Sequence, residues 1–177
     1  MSQSKQITAT EDTVKSLLSR KYRYIVPEYQ RQYSWGKNQW EDLLRDLESI
    51  EEGHTHFLGS VVFVEKNTNF DETDEFEVVD GQQRLTTISI LLCALRQYYE
   101  QNDRKEAADS IDKNYLWEEN EDFNDEQKLE LNSLDEDQYR RLLQGNPPRQ
   151  EESKIRGAVE FFVDKIMSLS DKEIDNI

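Results

Sequence analysis

Apolar residues recur along the chain at two periods, and the changes between them mark the elements. Val14, Leu17 and Leu18 share one face of a predicted helix over 9–19, opened by the capping-box pattern Thr8-Ala9-Thr10-Glu11. The basic and aromatic run 20–24 leads into a short strand, Ile25-Val26-Pro27, stopped by proline. Ser34 is placed to cap a second helix with Trp40, Leu43, Leu44, Leu47 and Ile50 on one stripe and a charged, solvated opposite face. Residues 57–64 are apolar and β-branched enough to predict a central strand buried on both faces. Residues 75–79 alternate and predict another strand, reached through a polar, hairpin-like connection over 67–74. Leu85, Ile88, Leu91, Leu92, Leu95, Tyr98 and Tyr99 then recur at helical spacing and define the most apolar helix, expected to be central.

Charge dominates beyond residue 101. Residues 105–113 read as a helix docked by Tyr115-Leu116-Trp117, and 118–126 as a solvated acidic loop. Residues 128–131 alternate like an edge strand. Ser133-Leu134-Asp135-Glu136 has the form of a capping box for a helix with Tyr139, Leu142 and Leu143, which Gly145, Pro147 and Pro148 stop. The last long helix, 151–169, carries Ile155, Val159, Phe162, Ile166 and Leu169. Ser170-Asp171-Lys172-Glu173 opens one more turn near the end, which suggests a piece of a longer protein. The pattern predicts an α+β domain over 1–145, a small mixed sheet with packed helices, followed over 146–177 by the start of a helical region.

Composition narrows the function classes. The chain has 177 residues, 35% hydrophobic and 34% charged, with a formal net charge of −16. Residues 1–60 are nearly neutral, with 8 basic and 9 acidic side chains, whereas 101–150 carry 7 and 14. An acidic domain is a poor non-specific DNA binder, because phosphate affinity rests on cations that displace counterions. Contact with nucleic acid therefore needs a local basic patch, a metal or another domain. The one cysteine, Cys93, lies in an apolar helical run, reads as a small buried hydrophobe and fits a reducing compartment. The longest apolar run, 90–95, is too short to span a membrane, and the first residues have no secretory pattern, so a cytoplasmic location is expected. His54 and His56 lack further ligands for zinc, and Asp71, Glu72 and Asp74 lack the glycine and terminal glutamate of an EF-hand loop.

The most specific chemistry lies between the 75–79 strand and the apolar helix, in Asp80-Gly81-Gln82-Gln83-Arg84. A strand that passes through a glycine turn into a helix start can hold a phosphate, because free N–H groups and the positive dipole end favour an anion. Gly81 allows close backbone approach, and the Arg84 guanidinium fits phosphate oxygens. The competing reading is a turn held by an Asp80–Arg84 salt bridge, with no ligand. A second unusual segment is Pro27-Glu28-Tyr29-Gln30-Arg31-Gln32-Tyr33-Ser34-Trp35, with three aromatics, two amides and an arginine. Such a mixture suits base stacking and phosphate contact. Alternatively, Tyr33 and Trp35 only anchor the loop to the core.

Three segments together resemble a known family: 25–35, then Phe57-Leu58-Gly59-Ser60, then Val79-Asp80-Gly81-Gln82-Gln83-Arg84-Leu85-Thr86-Thr87. They look like the N-terminal domain of GmrSD-type proteins, in the ParB/sulfiredoxin-like fold group, and are similar to the N-terminal part of phosphorothioate-sensing SspE proteins. The resemblance implies a domain that binds and hydrolyses a nucleoside triphosphate in bacterial defence against phage or modified DNA. It implies Asp80, Gln82, Gln83 and Arg84 as catalytic residues. Tyr29, Gln30, Arg31, Gly81, Arg84 and Thr86 would bind nucleotide, and Asp80 would hold a Mg²⁺ carried by it. Gln82 or Gln83 would orient water. The implied partners are NTP, modified DNA in the full-length protein, and a C-terminal His-Asn-His nuclease domain or subunit. A second copy of the chain is a further candidate partner. With only His54 and His56, the chain holds no such nuclease motif itself. A non-hydrolysing nucleotide- or DNA-binding clamp and a ParB-like nuclease remain as alternatives.

Overall fold

The computed structural model describes residues 10–50, 54–66, 74–119, 125–149 and 153–174. It is an α+β fold in which helices pack around a four-stranded mixed sheet of order β2-β3-β1-β6. The chain runs α1 (Val14–Ser19), β1 (Tyr22–Ile25), α2 (Lys37–Glu48), β2 (Val62–Glu65), β3 (Asp74–Asp80), α3 (Gln82–Gln101) and α4 (Lys105–Ile111). A π-helical turn, Asp112–Leu116, follows, then β4 (Trp117–Glu119), β5 (Asp125–Gln127), β6 (Leu129–Glu130), α5 (Glu136–Leu143), α6 (Lys154–Ser168) and α7 (Asp171–Ile174). β1 is parallel to both β3 and β6, β2 is antiparallel to β3, and β4 and β5 form a separate hairpin.

Alternation in β1 places Tyr24 in the core, 1% exposed, in register with Phe76 of β3 and Leu129 of β6. Its ring lies 4.9 Å from Phe63, and its hydroxyl donates to Leu17 O at 2.8 Å, which ties α1 to the sheet. On the neighbouring pleat Arg23 bonds Glu75 and Glu130 at 2.9 Å each, a cross-strand clamp over three strands. α3 is buried nearly all round, with Leu85, Ile90, Leu91, Cys93, Ala94 and Leu95 all in the core. That is the behaviour of a central helix. α6 packs along it through Ile155, Ala158, Phe162 and Ile166, each fully buried.

Several expectations change in the tertiary structure. α1 begins at Val14, because Thr13 takes the cap and its Oγ1 accepts from Ser16 N at 3.0 Å. Residues 8 and 9 of the expected Thr8–Glu11 box lie outside the described residues. α2 is opened by Gly36, with Gln39 Oε1 accepting from Gly36 N at 3.0 Å, while Ser34 is held elsewhere. Residues 57–61 are not strand, and β2 is an edge strand with Val62 and Glu65 exposed, not a central one. Leu58 and Val61 pack against the core without pairing, so hydrophobicity alone overstated the length of the strand. Ser133 and Glu136 form no capping box. Ser133 bonds Glu28 across the fold, and Glu136 accepts from Leu131 N, five residues back, at 2.9 Å. Within the expected acidic loop, Glu118 is buried against Lys128. β6 is the expected edge strand, and Gly145, at φ 74°, ends α5 as glycine readily does.

Candidate phosphate-binding turn

β3 reaches the turn through an irregularity. Phe63 pairs with Val78 and Val62 with Asp80, so Val79 is the extra residue of a bulge. Bulges re-aim the residues that follow them, and this one sits directly before Asp80. Gly81 adopts φ 86°, ψ 6°, the left-handed region that favours glycine. A Cβ there would lie 3.0 Å from both γ carbons of Val61 and 3.1 Å from Ser60 O, so the close approach also requires glycine. α3 then starts at Gln82, earlier than its apolar spacing predicts.

The first turn of α3 has no side-chain cap. Gly81 N donates to Asp80 Oδ1 at 2.8 Å, and Leu85 N begins the helical ladder on Gly81 O at 3.0 Å. The N–H groups of Gln82, Gln83 and Arg84 are therefore the helix's orphan donors. Asp80 is exposed, and among the described residues its second oxygen has no partner. Among the described residues no group of three or more potential metal ligands occurs. A single open carboxylate suits a cation that arrives on phosphate oxygens, not an all-protein cage.

Arg84 is half-buried beside the turn. Its Nη1 lies a long 3.4 Å from Ser60 O, and its guanidinium is 6.0 Å from the Trp35 ring. It stacks so closely over Gly59, at φ 103°, that a Cβ there would stand 2.7 Å from Arg84 Cζ. Among the described residues it meets no carboxylate, and the Asp80–Arg84 bridge of the competing reading does not form. Gly59 is a site residue that the sequence reading did not single out. Its signal was a lone glycine inside an apolar run, which marks close approach of another group.

The second wall is the loop 28–35. Arg31 is exposed, and among the described residues its guanidinium has no partner. Tyr29 is 69% exposed, and its hydroxyl donates to Glu77 Oε1, which fixes the ring and holds its pKa above the usual range. Gln30 Nε2 donates to Val79 O at 2.7 Å, tying the loop to the bulge. Both motif glutamines are buried and face this loop. Gln82 Nε2 donates to Arg31 O and Gln83 Nε2 to Gln32 O, each at 3.2 Å. Gln83 Oε1 accepts from Ser34 N at 2.8 Å and Trp35 N at 3.3 Å. Gln83 is thus filled at both ends, while among the described residues the Gln82 oxygen has no partner. Thr86 is 3% exposed and so is buried, whereas Arg31 is exposed and Arg84 half-buried.

Tyr33 anchors the loop, as the alternative reading of the aromatics expects. Trp40 Nε1 donates to Tyr33 Oη at 2.8 Å, Tyr33 Oη lies 2.7 Å from Thr87 Oγ1, and Thr87 Oγ1 donates to Gln83 O at 2.7 Å. The proton of Thr87 is committed to Gln83 O, so Tyr33 is the donor to Thr87. Burial pushes the Tyr33 hydroxyl up to about 12, which keeps that proton in place. From the far side, Asp135 Oδ2 accepts from Tyr33 N at 2.6 Å, and Asn132 Nδ2 donates to Gln30 O and Arg31 O at 3.1 and 3.3 Å. Neither Asn132 nor Asp135 stands out in the sequence, because each acts about 100 residues away from itself.

The fold and site define a class: a small α+β domain with an uncapped helix start and two arginines that meet no carboxylate among the described residues. The chain belongs to the family of the GmrSD restriction endonuclease N-terminal domain, whose model matches residues 14–177. A search of curated proteins finds no significant match. The domain is thereby placed in a restriction system. No helix among the described residues is long and apolar enough to cross a membrane.

Proposed function

We propose that the Asp80–Arg84 turn and the 29–31 loop bind a nucleoside triphosphate with Mg²⁺ and hydrolyse it, as a regulatory domain in defence against phage or modified DNA. The observation that carries this reading is that Arg84, in the first turn of α3 with its orphan N–H groups, and Arg31, whose backbone is tied to that turn, have no carboxylate partner among the described residues of a chain of net charge −16. A cation left unpaired on so acidic a domain is suited to an anionic ligand. Arg84 grips phosphate and stabilises the charge that develops as the terminal bond breaks. Gln82, with its open oxygen, orients water, and Gln83 holds the loop. Asp80 is the carboxylate available to the nucleotide's Mg²⁺, which neutralises phosphate charge when bound. Tyr29 offers an exposed ring for the base. DNA cutting belongs to a His-Asn-His nuclease domain or subunit outside this chain.

The test is phosphate release with Mg²⁺ over the four common NTPs. Release that is present in the wild type and lost in Arg84→Ala, with the fold intact, is expected. Equal release from both proteins refutes the reading. A second reading, a clamp that binds nucleotide without turnover, is favoured by the filled state of Gln83, which leaves one motif amide for water. Nucleotide-dependent thermal stabilisation without phosphate release would establish the clamp.

A further inference from the structure

We propose that Asn132 is a positioning residue for Arg31, and that the segment 132–135 sets the geometry of the anion site from outside it. The inference rests on the nucleotide reading for its consequence, though not for its geometry.

Asn132 is 2% exposed, and its amide nitrogen donates to two successive loop carbonyls, Gln30 O and Arg31 O. That commitment leaves Asn132 Oδ1 buried with no hydrogen-bond partner. Flipping the amide would turn its oxygen onto two carbonyl oxygens, so the orientation is decided by the loop. A buried acceptor without a partner is unfavourable, and a residue needed only to fill space would be apolar. What the amide achieves is the position of the Arg31 backbone.

Arg31 O is also where the second clamp ends, since Gln82 Nε2 donates to the same atom. The loop is therefore held between the first turn of α3 and the turn before α5. Two further contacts from that turn reinforce it. Glu28 receives both Ser133 N at 2.9 Å and Ser133 Oγ at 2.8 Å, and Asp135 receives Tyr33 N. With its backbone fixed on both sides and its guanidinium unpaired among the described residues, Arg31 is presented beside Gln82 at the first turn of α3. Removing Asn132 should free Arg31 without touching any group that meets the ligand.

The test uses Asn132→Leu, which keeps the branching, removes the donor and abolishes the orphan acceptor. Three readouts are taken: melting temperature, amide exchange of Tyr33, Ser34 and Trp35 against α6, and affinity for each Mg²⁺–NTP. The expected result is an unchanged or raised melting temperature, faster exchange confined to the loop, and affinity lower by about tenfold, near 1.4 kcal/mol. In an Arg31→Ala background the same substitution should weaken binding by less than about twofold, because Asn132 acts through Arg31. A melting temperature that falls with exchange rising equally in α6, or unchanged exchange and affinity, overturns the assignment. So does an equal loss of affinity with and without Arg31. If Asn132→Leu does not fold, Asn132→Ser removes the same donor with less bulk and is judged by the same readouts. If the wild type binds no NTP, the nucleotide reading fails, and loop-confined exchange alone decides whether Asn132 positions Arg31.

Discussion

Gln83→Ala separates the two kinds of residue in the Asp80–Arg84 turn. Gln83 is 8% exposed and ties α3 to the 32–35 loop through three backbone partners. Two of these bonds, to Ser34 N and Gln32 O, have ordinary geometry at 2.8 and 3.2 Å, and the third is longer at 3.3 Å. Each ordinary bond contributes about 1 kcal/mol net, and a part-buried donor left unsatisfied adds roughly 1 kcal/mol more, so the variant should lose about 2–3 kcal/mol. For a domain of this size, each kcal/mol moves the melting temperature by roughly 2–4 °C, so a fall of about 5–10 °C is expected. Arg84→Ala is the control. Its single 3.4 Å bond and 6.0 Å ring contact imply a loss below about 1 kcal/mol, while anion binding should vanish. Urea unfolding followed by far-UV circular dichroism measures both stabilities. A Gln83→Ala variant within about 0.5 kcal/mol of wild type, or an Arg84→Ala variant as unstable as it, would refute the division into a loop-holding glutamine and a ligand-facing arginine.

Gly59→Ala should act as an indirect Arg84 variant: a φ of 103° strains any side chain by roughly 1–3 kcal/mol, and the new Cβ expels the guanidinium, so nucleotide binding falls together with stability in one titration and one melt. Burial raises the Asp135 carboxyl pKa, so its protonated form favours folding. That contribution is complete below the unfolded value, about 3.9, and is lost as pH rises through the raised folded value. Asp135→Asn should therefore narrow the stability difference between about pH 4 and about pH 7, measured as urea midpoints, and an unchanged difference would count against it. Lys128→Met strands the buried Glu118 carboxylate and should cost about 3–5 kcal/mol, whereas Glu118→Met with Lys128→Met should recover most of it, since a buried pair is often replaceable by apolar side chains. Added salt should raise the melting temperature of the wild type, because a net charge of −16 repels itself and screening relieves the repulsion.

The sequence by itself determined the elements with strong periods and the special backbone. The spacing of Leu85, Ile88, Leu91 and Leu95 makes a buried helix in any compact arrangement, and Phe76 and Val78 alternate in every register that buries one face, whereas the strand expected at Ile25-Val26-Pro27 forms at Tyr22–Ile25 with Tyr24 as its buried residue. Gly81 announces a turn because few other residues tolerate φ 86°. Family membership was legible for the same reason: the motif is local and contiguous. Capping patterns were less reliable, since Ser133 bonds the distant Glu28 and Glu136 turns back to Leu131 N, and neither meets the other. Only the tertiary structure decided which strand is an edge, where the glutamine amides point, and what holds Arg31. Those answers depend on atoms brought together from about 50 to 100 residues apart, as Gln83 meets Ser34 and Asn132 meets Arg31. A hydrogen bond of that reach has no period and leaves no local trace, because its partner is chosen by how the sheet and helices pack.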